Sequence, residues 1–94
     1  MEKLTTEQIR KKIDSVPGWQ LDGEAIKREW KFKDFSEAMK FINKVAALAD
    51  KYDHHPELFN VYNTVSIRYS THDAGGLTNR DFKLADEINH IDMS

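Results

Sequence analysis

Three of the four histidines in this chain fall in two short polar runs, Asp50-Lys51-Tyr52-Asp53-His54-His55-Pro56-Glu57 and Ser70-Thr71-His72-Asp73. Imidazole has an unperturbed pKa of about 6.5, so it gives and takes protons near neutrality, and it is also a common metal ligand. A histidine cluster therefore points to proton transfer or to metal binding. Carboxylates nearby in sequence, Asp50, Asp53 and Asp73, together with Asp81, suit either use, because a carboxylate bonded to one ring nitrogen fixes the tautomer. The fourth histidine, His90, reads as a surface residue on the polar side of the last helical segment.

The elements that must position these groups can be read from periodicity and caps. A threonine cap at Thr5 or Thr6 opens a short helix to about Asp14, which Val16-Pro17-Gly18 ends. After Trp19-Gln20-Leu21, the pair Asp22-Gly23 reads as a two-residue hairpin turn into a strand over Ala25–Lys33. Ile26, Trp30 and Phe32 share one face of it, and Lys27, Glu29, Lys31 and Lys33 the other. Ser36 opens the strongest helix, to about Lys51, with Met39, Ile42, Val45, Ala46 and Ala49 at helical spacing. Strands from Phe59 to about Tyr62 and over Val65–Ser70 follow, joined near Asn63, with Val65, Ile67 and Tyr69 alternating inward. Gly75-Gly76 breaks the pattern, and Thr78 caps a last helix to about Ile91 with Phe82, Ala85, Ile88 and Ile91 facing inward. Consecutive strands with short connections form antiparallel hairpins, and such a sheet can carry helices on one face only. The expected fold is an α+β two-layer sandwich, a four-stranded antiparallel sheet with helices on one face in the order α-β-β-α-β-β-α, spanning residues 1–94 as one domain. Trp19, Tyr62 and Tyr69 are divided between core packing and an interface on the open face.

Composition narrows the function. With 39% hydrophobic residues and ten aromatics the chain can build one core, and a net charge of -2 gives no electrostatic bias toward nucleic acid. The absence of cysteine excludes thiolate metal cages, disulfides and a cysteine nucleophile. No secretory run opens the chain and no stretch reaches the ~18 apolar residues of a membrane span, so the expected location is the cytoplasm.

Within this layout His54 and His55 lie where the long helix turns toward a strand, and Pro56 biases His55 to extended backbone. Adjacent side chains on extended backbone diverge, so the pair is unsuited to chelating one metal together but can touch two parts of a flat ligand. His72 follows the last strand, just before the Gly-rich loop.

The run Asp50-x-x-x-His54-His55-Pro56, then Phe59-Asn60-Val61-Tyr62-Asn63, then Ser70-Thr71-His72-Asp73-Ala74-Gly75-Gly76-Leu77-Thr78 and Asp81 closely resembles the pterin-4a-carbinolamine dehydratase family. The likeness runs from about Gly18-Trp19 through Lys33-Asp34-Phe35 to the last helix. Two departures stand out: Asp50 occupies a position often held by Glu, and Leu58 replaces a frequent Trp. The resemblance implies a hydro-lyase that dehydrates 4a-hydroxytetrahydropterin to quinonoid dihydropterin, serving tetrahydropterin recycling without a metal or organic cofactor. It makes His54 and His72 the acid and base, with His55 positioning the pterin. Asp53, Ser70, Thr71 and Asp73 would then supply hydrogen bonds to the bicycle, Asp50 and Asp81 would anchor imidazoles, and Arg80 would stand at the rim. The family implies a homodimer or homotetramer.

Two other readings belong to different classes. The three histidines and nearby aspartates could bind zinc or iron, although CxxC, HExxH and His-x-His patterns are absent. The domain could instead be an interaction module, since animal relatives also act as dimerisation cofactors of a transcription factor.

Overall fold

The computed structural model describes residues 2–94. Its strands follow the polar–apolar alternation of the sequence. β2 (Ala25–Lys31) pairs antiparallel with β1 (Gln20–Asp22) on one side and β4 (Thr64–Tyr69) on the other, and β4 pairs antiparallel with β3 (Glu57–Val61), giving the order β1-β2-β4-β3. The register sets Ile26 opposite Tyr69, Arg28 opposite Ile67 and Trp30 opposite Val65, so one face of the two central strands is almost wholly apolar. Lys27, Glu29 and Lys31 lie on the other face, opposite Arg68, Ser66 and Thr64.

Three helices cover the apolar side: α1 (Thr6–Ile13), α2 (Phe35–Lys51) and α3 (Asn79–Asn89). One core cluster unites Ile26, Val65, Ile67 and Tyr69 of the sheet with Phe41 and Val45 of α2 and Phe82, Leu84, Ala85 and Ile88 of α3. Each fully buried side chain of this size contributes about 1.5–3 kcal/mol. An aromatic run, Trp19–Trp30–Phe41–Phe32, with centroids 5.6, 4.8 and 5.0 Å apart in turn, ties β2 to α2. The α+β sandwich expected from sequence is the observed fold.

Local details differ from expectation. α2 begins at Phe35 because Asp34, two residues before Ser36, is the cap whose side chain accepts from the Glu37 amide. Its inward stripe is Ala38, Phe41, Val45 and Ala49, while Ala46 is exposed and Met39 and Ile42 are half-buried. The first hairpin turn is Gly23-Glu24, one residue later than Asp22-Gly23, because Asp22 pairs with Ala25 and Gly23 takes the positive φ of 61°. β3 starts at Glu57 and ends at Val61, which leaves Tyr62 in the turn with φ 49° and 63% exposed. Asn60 braces that turn by donating its side-chain amide to the carbonyls of Tyr62 and Thr64. Trp19 and Tyr69 are buried in the core.

Candidate active site

The end of α2 delivers the histidine pair. Tyr52 caps the helix, Asp53 takes the left-handed conformation at φ 49°, and two backbone bonds close the turn: His54 N–H to the Ala49 carbonyl at 3.0 Å and Asp53 N–H to the Asp50 carbonyl at 3.3 Å. This is a Schellman closure, in which the second residue beyond the helix is folded back across its last turn. Arg80 of α3 donates its guanidinium to the carbonyls of Tyr52 and Asp53, fixing the turn from outside. The chain then extends toward β3, so successive side chains point opposite ways: His54 is 9% exposed, and His55 is exposed.

His54 enters a closed polar cluster. Its Nε2 lies 2.6 Å from Oδ1 of Asp81, which is fully buried at the third position of α3. Oδ2 of Asp81 accepts from the Thr71 hydroxyl and from the Thr78 backbone N–H, each at 2.9 Å, and the two threonine hydroxyls are 2.8 Å apart. A carboxylate at a helix N-terminus is stabilised by the helix dipole, and here it also closes a capping box with Thr78. Tyr69 of β4 holds the other side: its hydroxyl donates to the His54 carbonyl at 3.0 Å, and its ring lies 5.1 Å from the imidazole. Burial, and secondarily the negative charge of Asp81, push the Tyr69 phenol far above the usual tyrosine range, so it remains a neutral donor.

One atom of His54 is left free. Its Nδ1 has no hydrogen-bond partner among the described residues, and no buried side-chain nitrogen or oxygen among them lacks one, so Nδ1 must reach the surface. The ring is thus anchored at one nitrogen and open at the other.

His72 stands on a single 3-10 turn, His72–Ala74, that the Thr71–Gly76 bridge closes, with Gly75 at φ 74°. It borders a cleft of about 230 Å³ together with Glu24, Arg68, Ser70, Thr71, Gly75 and Gly76. Arg68 bonds both Asp22 and Glu57 across the open face of the sheet. His55 pairs with Asp50 through Nε2 and Oδ1 at 2.9 Å, with both side chains more than half exposed. Such a pair is worth at most ~1 kcal/mol and leaves His55 free to turn.

The residues singled out in the sequence therefore separate into groups. His54, Thr71 and Asp81 form one buried cluster; His55 and Asp50 form a surface pair; Ser70 and His72 border the cleft; Asp53 is exposed and held at its carbonyl by Arg80. Asp73 is exposed on the turn beside His72. Thr71 joins the buried cluster to the cleft. Its hydroxyl serves Asp81 and Thr78, and its backbone N–H and carbonyl serve Gly76 and Ala74. Sequence reasoning missed Tyr69 as a partner of His54, and it saw Thr78 as a cap alone, although Thr78-x-x-Asp81 is the spacing of a capping box. Glu24 and Arg68 carried no signal: Glu24 reaches the cleft from the first hairpin turn, and the partners of Arg68, Asp22 and Glu57, lie on other strands. Among the described residues no three His, Asp or Glu side chains converge as a metal site requires, and no helix is long and apolar enough to cross a membrane.

Comparison with known proteins agrees over nearly the whole chain. A family model described as pterin 4 alpha carbinolamine dehydratase matches residues 2–91. A protein of Prochlorococcus marinus strain MIT 9515, provisionally named pterin-4-alpha-carbinolamine dehydratase, is 47% identical over 88 residues, covering 94% of this chain and 92% of its own. A protein of Sulfurisphaera tokodaii with the same provisional name is 43% identical over 91 residues, covering 97% and 98%. The crystal structure of a transcriptional coactivator/pterin dehydratase from Brucella melitensis superposes with a TM-score of 0.89 at 44% identity, over 94% of this chain and 96% of that one. The chain belongs to the pterin 4 alpha carbinolamine dehydratase family.

Proposed function

We propose that this hydro-lyase dehydrates 4a-hydroxytetrahydropterin to quinonoid dihydropterin by histidine general acid/base catalysis, in support of tetrahydropterin recycling. The observation that carries the mechanism is His54, anchored to Asp81 through Nε2 and open at Nδ1. The reaction needs two proton movements. The C4a hydroxyl leaves as water only when an acid protonates it, and the C=N bond forms as a base removes the proton from the ring nitrogen. The acid loses one proton and the base gains one, so exchange with solvent restores both. Positioned groups with pKa values near the working pH each contribute about 10² to 10⁴ in rate.

His54 and His72 are assigned this exchange, with His55 placing the pterin and polarising its hydroxyl. Asp53, Ser70, Thr71 and Asp73 are assigned hydrogen bonds to the bicycle, which for Thr71 would have to share a hydroxyl already engaged with Asp81. Asp50 and Asp81 hold His55 and His54 through the bonds described, and Arg80 holds the turn. His54→Ala and His72→Ala should each lower kcat far more than they raise KM in rapid-mixing assays on the carbinolamine; two variants with near wild-type kcat would refute the assignment.

We assign the chain to a homodimer or homotetramer acting in the cytoplasm. Outer strand β3 supports the assembly, since it leaves one edge unpaired and exposes Leu58, Phe59 and Val61, with Tyr62 beside them. The words "transcriptional coactivator" attached to the Brucella melitensis structure favour a second reading, an interaction module. A folded protein that gives no acceleration over buffer with the carbinolamine would select it.

A further inference from the structure

We propose that Thr71 and Thr78 are positioning residues whose hydroxyls form a one-way hydrogen-bond chain through Asp81, fixing neutral His54 with its proton on Nε2 and presenting Nδ1 as the nitrogen that exchanges a proton with substrate. This deepens the functional reading above and rests on it only for the identity of the substrate.

The direction of each bond follows from the inventory of donors. The Thr78 backbone N–H can only donate, and it donates to Oδ2 of Asp81. The Thr71 hydroxyl has one proton and two buried oxygen neighbours, Oδ2 of Asp81 at 2.9 Å and Oγ1 of Thr78 at 2.8 Å. Were that proton turned toward Thr78, two acceptors would face each other at 2.9 Å in a buried site, where an unmade bond is expensive. Thr71 therefore donates to Asp81, and Thr78 must donate to Thr71. The Thr78 oxygen in turn accepts from the Arg80 backbone N–H at 3.3 Å, so each hydroxyl is used as donor and acceptor.

The two donors on Oδ2 favour Asp81 as the carboxylate, and a carboxylate can only accept, so Oδ1 accepts from His54. The proton of neutral His54 then lies on Nε2, and Nδ1 carries the lone pair. Tyr69 prevents the ring from escaping this arrangement, because it bonds the His54 carbonyl and packs against the imidazole. Nδ1 takes a proton to form the imidazolium, or the imidazolium gives that same proton up; Nε2 keeps its own throughout. The buried threonines act through Asp81.

The test reads the side-chain nitrogen resonances of His54 in ¹⁵N-labelled protein above the ring's titration, and kcat and KM in parallel. In the wild type Nε2 should be protonated and Nδ1 bare. Thr71→Val, nearly isosteric, should mix the tautomers and lower kcat about tenfold, while Thr71→Ser restores both. A wild type with the proton on Nδ1 overturns the proposal without any variant, as does a Thr71→Val protein with unchanged tautomer and kcat. Because the tautomer is read without turnover, an inactive chain with Nε2 protonated refutes the dehydratase reading and supports the hydrogen-bond chain. Dehydration by a protein with Nδ1 protonated does the reverse.

Discussion

Asp81→Asn isolates the contribution of the carboxylate, because it preserves shape and removes charge. Asp81 is fully buried and its two oxygens meet three donors, from Thr71, Thr78 and His54. The amide oxygen of Asn can occupy the Oδ2 position and keep the Thr71 and Thr78 bonds, but its NH₂ then faces Nε2 of His54 in place of Oδ1. Two donors would meet, and the conflict is relieved only if His54 moves its proton to Nδ1, the nitrogen assigned to substrate. The folding cost is the difference between charged and neutral hydrogen bonds, offset by not burying a charge, about 1–3 kcal/mol. Each kcal/mol should lower Tm by about 4–8 °C. Catalysis should suffer more, by about 10² to 10⁴ in kcat, because the accepting lone pair is lost. Thermal melts with rapid-mixing assays on the carbinolamine below the transition separate the two effects. A folded Asp81→Asn protein with wild-type kcat would refute the claim that Asp81 sets the tautomer of His54.

Further outcomes follow from other contacts. Burial raises the folded pKa of Tyr69 above its unfolded value of 10.0, so the stability this confers is present below pH 10 and lost as pH rises toward the folded pKa; Tyr69→Phe should unfold in urea with a shallower decline above pH 10 than the wild type, and an equal decline would contradict this. Gly18→Ala places a methyl at φ 87° and 2.6 Å from Nε of Arg28, whose Nη1 donates to the Pro17 carbonyl and to Asn89 Oδ1, so a loss of about 1–3 kcal/mol should appear as a lower urea midpoint. Phe59→Glu on outer strand β3 should shift the assembly toward monomer in light scattering while leaving the melting cooperative; an unchanged mass would remove β3 from the interface.

Much of this architecture was legible because its determinants are local. Alternation at Val65, Ile67 and Tyr69 and the cap at Thr78 involve residues close in sequence. Where two local signals competed, the outcome depended on distant contacts. Asp34 and Ser36 are both cap residues, and on α2 the stripe Ala38–Phe41–Val45–Ala49 competes with one through Met39, Ile42 and Ala46; packing on the sheet chose the first. The turn at Asp53 was hidden because its left-handed residue is not glycine. That His54 and His55 diverge was readable from extended backbone. Asp81 as an anchor for an imidazole came from the family resemblance alone; that it would meet His54 in a buried cluster, with Tyr69 on the His54 carbonyl, was not readable from local pattern, since those contacts exist only after the sheet and α3 meet.

A crystal structure of this protein with a bound dihydropterin tests the central claim most directly. The account predicts the bicycle within hydrogen-bonding reach of His54 Nδ1 and His72, with His55 turned from Asp50 toward the ring and the Asp81–Nε2 bond intact. A pterin bound elsewhere, or one contacting neither His54 nor His72, would contradict it.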